Sequence, residues 1–120
     1  MMQDAGHEMK ARMRADLRAA MKEGRGGDAR LIRSLIAAID KAEAPPAREG
    51  SGEAVQHHFL SGSAEVERLS LDAERVRAIL LAEIEEHEQA AAEMDRLDRP
   101  DRADAIRAEA RLTARYLSQS

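Results

Sequence analysis

The chain has 120 residues, enough for one domain with a buried core and too few for several separate active sites. Aromatic side chains make up 2% of it, so the core must come from Leu, Ile, Met and Ala, which suits packed helices and argues against a β-sandwich. Nineteen Lys and Arg against 23 Asp and Glu give a net charge of -4 and exclude a general attraction to nucleic acid or to an anionic membrane. The absence of cysteine excludes disulfides, thiolate nucleophiles and cysteine-ligated metal.

The first eight residues contain Asp4 and Glu8 and no apolar run, which predicts neither a signal peptide nor a membrane span and points to the cytoplasm. From Met9, the residues Met9, Met13, Leu17, Ala20 and Met21 recur at steps of three and four, with Arg12, Arg14, Arg18 and Lys22 off that stripe: an amphipathic helix. Gly24 closes it, because glycine takes left-handed backbone at little cost, and Arg25-Gly26-Gly27 forms the turn. Asp28 then caps a second helix whose apolar face is Leu31, Ile32, Leu35, Ile36 and Ile39, and Pro45-Pro46 stops it. So short a turn implies an antiparallel helical hairpin.

Residues 45–70 are rich in Pro, Gly, Ser and Glu and read as a flexible connector, with room for a short helix at 53–60. Asp72 then has the place of an N-cap, Glu74 suits the first turn, and Leu71 is set to staple onto Val76. The third helix carries Val76, Leu80, Ile84, His87, Ala91 and Met94 on one face, widened by Ile79 and Leu81, and continues to Leu97. Pro100 opens a fourth helix, with Ala103, Ile106, Ala110 and Leu117 inward and Leu112 and Tyr116 beside them. The expectation is a single all-α domain over residues 1–120, four helices in two hairpins.

Few residues carry chemistry. His7, His57, His58 and His87 lack the i, i+4 pair of a helical metal site, so the expectation is no metal and no cofactor. Glu83, Glu85, Glu86, Glu88 and Glu93 point in different directions around a helix and read as a solvated or docking face, not a catalytic dyad. No nucleophile stands near a base, so no catalytic residue is assigned. Gly24, Gly26 and Gly27 with Arg25 resemble an anion-binding loop ahead of a helix, but the Walker pattern is absent and a plain turn fits better. Arg14, Arg18, Lys22 and Arg25 step along one side of the first helix into the turn, where they suit an RNA backbone or an ordinary solvated face. Residues 1–43 hold nine cations and seven anions, residues 71–120 eight and twelve, so the basic character lies in the first half.

The segment 12–22, with Asp16, Leu17, Ala20, Met21 and Lys22, resembles the opening helix of the GatB/YqeY family. Residues 32–39 with Ala42-Glu43 resemble its second helix, Arg33 falling on a characteristic arginine; 71–76 resemble the start of the third, and Ala108-Glu109 with Tyr116-Leu117 the last. The resemblance covers most of the chain outside the connector. It implies an all-helical module of the kind found in the tail of tRNA-dependent amidotransferases, glutamine-using carbon–nitrogen ligases in which the tail helps engage tRNA while chemistry occurs elsewhere. On that basis Arg14, Arg18, Lys22, Arg25 and Arg33 are the candidate RNA-binding residues, and tRNA or an amidotransferase-related protein the expected partner. Two departures stand out: Glu85-Glu86-His87-Glu88 replaces a basic run, and the family's second small helical domain after Tyr-Leu-Pro is not expected after Tyr116-Leu117. The alternative is a module for protein–protein contact or homo-oligomerisation that binds no RNA. An enzyme in its own right ranks third.

Overall fold

The computed structural model describes residues 4–45 and 68–118, and over these the chain is all α-helix: four helices in two antiparallel hairpins. The connector expected at 45–70 lies, except for its two ends, outside the described residues, as do the short helix at 53–60 and His57 and His58.

Helix α1 (Ala5–Lys22) begins four residues before the apolar repeat, because the Asp4 side chain accepts a hydrogen bond from the His7 amide at 3.0 Å and caps it there. It ends at Gly24, whose φ of 75° lets the Gly24 and Arg25 amides donate back to the Met21 and Ala20 carbonyls. That closure has already turned the chain at Arg25, so α2 (Gly26–Glu43) starts at once. The expected cap at Asp28 is therefore corrected: Asp28 sits in the first turn and accepts from the Arg25 side chain at 2.7 Å, while Arg25 holds the cap position without a side-chain bond to the helix's free amides.

The same turn chemistry closes the second hairpin. Asp72 caps α3 (Ala73–Arg96) by accepting from the Arg75 amide at 2.8 Å, as expected, and its 24 residues span about 36 Å. Asp98, at φ 58°, stands where Gly24 stands in the first turn, and the Arg99 amide donates to the Met94 carbonyl at 2.8 Å. A short polar side chain tolerates this left-handed backbone better than most. Helix α4 (Pro100–Ser118) follows with proline in its first position.

The shared core joins Met9, Met13, Leu31, Ile32, Leu35 and Ile39 of the first hairpin to Leu71, Val76, Leu80 and Tyr116 of the second. Beyond it, the α3–α4 seam is made of small residues: Ala91, Ala103 and Ala110 are buried, so the two backbones can lie close without large side chains between them. Met21 and Leu81, read from the repeat as part of apolar faces, are 56% and 48% exposed. Both sit at the margin of their stripe, where a neighbouring helix covers only one flank.

A polar clasp closes the open end of the first hairpin. The Leu71 carbonyl accepts from the Ala5 and Gly6 amides (2.9 and 3.4 Å), filling the start of α1, and the Leu69 amide donates to the Glu43 carbonyl at 2.7 Å, filling the end of α2. Between them the buried Lys10 ammonium donates to Glu43 at 2.5 Å and to Asp40 at 2.6 Å, with Arg68 3.2 Å from Asp40. Burial pulls the Lys10 ammonium down, but the bonds from Asp40 and Glu43 outweigh it and hold its pKa above the usual range. Gly6 is required here: a Cβ on it would stand 2.8 Å from the Glu43 carboxylate and 3.3 Å from Leu71. A second tie joins residues 100 apart, the Tyr116 hydroxyl donating to Asp16 at 2.6 Å; burial first, then that bond, pushes the phenol well above its usual range.

Two outcomes follow from the clasp. Because the Leu69–Glu43 bond brings the connector's ends together, replacing residues 46–67 by about six Gly and Ser residues should keep the helical circular dichroism and raise stability by roughly 1 kcal/mol through lower loop-closure entropy; a loss of several kcal/mol in urea unfolding would refute the independence of fold and connector. The hydrogen bond from Lys10 holds Asp40 below the usual carboxylate range. A depressed carboxyl pKa adds stability above its unfolded value, and that stability is lost as pH falls through the folded one. The stability gap between the parent and Asp40→Asn should therefore be open at pH of about 6 and close in acid below about 4; a gap independent of pH would count against the bond.

Candidate nucleic-acid interface

The tip of the first hairpin lies at the far end from the clasp. On α1, Arg14, Arg18 and Lys22 are exposed, each four residues from the next, which advances the helix by about 40° per step and lays the three charges in a row on the solvent side. From α2, the Arg33 guanidinium donates to the sulfur of the exposed Met21 at 3.4 Å, which draws it across to α1. The structure thus gathers four of the five expected cations on one hairpin with free access to solvent.

Arg25 is differently placed. It bonds Glu23 at 2.9 Å and Asp28 at 2.7 Å, so two carboxylates already offset its charge, and those bonds raise its pKa further. The effect on the rest of the tip is favourable to anions, because Glu23 and Asp28 are the acids nearest the turn and both face Arg25. Among the described residues, Arg18, Lys22 and Arg30 make no ion pair, and Arg14 makes none either, although its charge helps to lower Asp40.

Arg30 is a residue that the sequence reading missed. Its guanidinium nitrogens lie 3.9 Å from where Cβ atoms on Gly26 and Gly27 would be, so it hangs beside the first turn of α2. Together with Ala20, Met21, Gly24, Gly26, Ala29 and Arg33 it lines an open groove of about 350 Å³. The signal was present: Arg30 is three residues before Arg33, one helical turn along the solvent side of α2. The first amides of α2 face the same tip with no side chain capping them, and the partial positive charge of the helix N-terminus adds to that of the arginines.

The other candidates spread apart. His7 is exposed on α1; His87 is half-buried in the α3–α4 seam, its Nδ1 2.7 Å from the Glu83 carbonyl and its Nε2 3.6 Å from Glu109. Glu85, Glu86 and Glu88 are exposed while Glu83 and Glu93 are half-buried, so the acidic run does not converge. Among the described residues no three His, Asp or Glu side chains are grouped to hold a metal ion, and no helix is long and apolar enough to cross a membrane. Comparison with known protein families, with curated proteins and with solved structures finds no match to this chain.

Proposed function

We propose that this chain is a non-catalytic helical binding module of the GatB/YqeY type that lays the tip of its first hairpin against the backbone of tRNA, in association with a glutamine-dependent amidotransferase in the cytoplasm. One observation carries the reading: Arg18, Lys22 and Arg33, joined by Arg30, present positive charge at one end of a net acidic molecule, with the acids nearest the turn facing Arg25, and Arg14 extends the row back along α1 toward Asp40. Flexible cations at helical spacing suit phosphates and carry no base readout, so the contact is one of shape and charge. The acidic face of α3 repels a polyanion, which confines RNA to the first hairpin.

The test is titration of fluorescent tRNA at several salt concentrations. Binding in the micromolar range should weaken steeply with salt. Replacing Arg14, Arg18, Lys22 and Arg33 together by Ala should lower affinity by at least about tenfold and flatten the log–log salt slope by about 0.7–0.9 for each phosphate contact removed. No salt-sensitive binding, or a quadruple variant that binds like the parent, refutes the RNA reading.

A further inference from the structure

The second hairpin has a face that the first does not cover. A groove of about 360 Å³ runs between α3 and α4, lined by Ile84 and Glu88 on one side and Arg107, Ala110, Arg111 and Ala114 on the other. None of these six belongs to the core shared with the first hairpin. Leu81, one turn before Ile84, is 48% exposed, so apolar surface continues past the groove.

The two rims carry opposite signs. On α3 the rim is acidic, Glu88 with Glu85 next to it; on α4 it is basic, Arg107 and Arg111. Arg107 is already bonded to Asp95 at 2.5 Å, but Glu88 and Arg111 make no ion pair among the described residues although both line the same groove. A two-fold axis parallel to the hairpin would set α3 of one copy over α4 of the other, acidic rim on basic rim, twice over. An axis across the helices would instead stack acid on acid. The face is thus its own complement in one orientation, which is the requirement of an isologous contact.

We propose that this groove is a dimer interface, in which two copies of the chain pair their α3–α4 hairpins into a four-helix bundle, with Leu81, Ile84 and Ala114 at its centre and Glu88 of each copy facing Arg111 of the other. The apolar strip is short, so the dimer is weak and salt-sensitive. It leaves the cationic tip of the first hairpin free, and its formation does not depend on RNA binding.

Sedimentation equilibrium of the full chain, from micromolar to millimolar concentration at low salt, tests it. The parent should shift from monomer to dimer mass. Glu88→Arg alone and Arg111→Glu alone should each weaken dimerisation by about tenfold or more, and the two together should restore it to within about threefold of the parent. Leu81→Asp, at an exposed position where the monomer core is untouched, should give monomer with unchanged helical circular dichroism. Monomer mass at every concentration overturns the proposal. So does a dimer indifferent to these substitutions, or a groove that proves to be filled by a different protein while the chain does not self-associate.

Discussion

Everything in this fold depends on one buried cation. Lys10 enters the core side of α1, where an unpaired ammonium would cost several kcal/mol, and it is tolerated because Glu43 and Asp40 of α2 reach it from the other helix. The arrangement works only in one register of the hairpin: a shift of α2 by a single residue would rotate Glu43 by about 100° off the core and leave Lys10 without its buried partner. Apolar side chains alone, in a core of Leu, Ile, Met and Ala, would accept several neighbouring registers at similar energy. The ion pair therefore supplies specificity more than net stabilisation.

The clasp also decides where the second hairpin sits. Gly6 lets Glu43 and Leu71 come within contact of the α1 backbone, Leu71 fills the free amides at the start of α1, and Leu69 fills a free carbonyl at the end of α2. The chain that returns from the connector is thus stitched to both helices of the first hairpin before α3 begins. Tyr116 adds the far tie to Asp16. With the second hairpin anchored at this end, two surfaces stay open among the described residues: the cationic tip at the opposite end of α1 and α2, and the outer groove of α3 and α4. The charge asymmetry of the sequence maps onto them, with Arg and Lys at the tip that make no ion pair among the described residues and the acidic run on α3.

What the sequence made readable were the local features. The 3.6-residue repeat, Gly24, Asp72 and Pro100 are signals that act within one turn of helix, and they gave the four helices and the two hairpins. What it hid was pairing across distance. Lys10 and Glu43 are 33 positions apart, and each looks like a solvated charge in isolation. Yet Lys10 lies on the same stripe as Met13 and Leu17, and Glu43 follows Leu35 and Ile39 at steps of four, so each helix carries one charge of opposite sign on its buried face. In an antiparallel hairpin those two positions meet, and that was the signal. The start of α2 lies ahead of Asp28 for a related reason, since closure of α1 by Gly24 and Arg25 leaves no gap for Asp28 to cap. Of the cationic site, the row on α1 was readable from spacing, whereas the neutralisation of Arg25 and the presence of Arg30 beside the turn depend on how the two helices are joined.

The most direct measurement is a double-mutant cycle on the buried pair, with Lys10→Met, Glu43→Leu and the double variant compared by urea unfolding at neutral pH. If the pair fixes the hairpin as described, Lys10→Met leaves the buried Glu43 with Arg68 alone, at 3.5 Å, and Glu43→Leu leaves the buried Lys10 with the half-exposed Asp40 alone; each costs up to about 3–5 kcal/mol, while the double variant, with neither buried charge left, loses far less than the sum. Losses that simply add, or single changes costing less than about 1 kcal/mol, would show that Lys10 and Glu43 are solvated surface charges and would contradict the account.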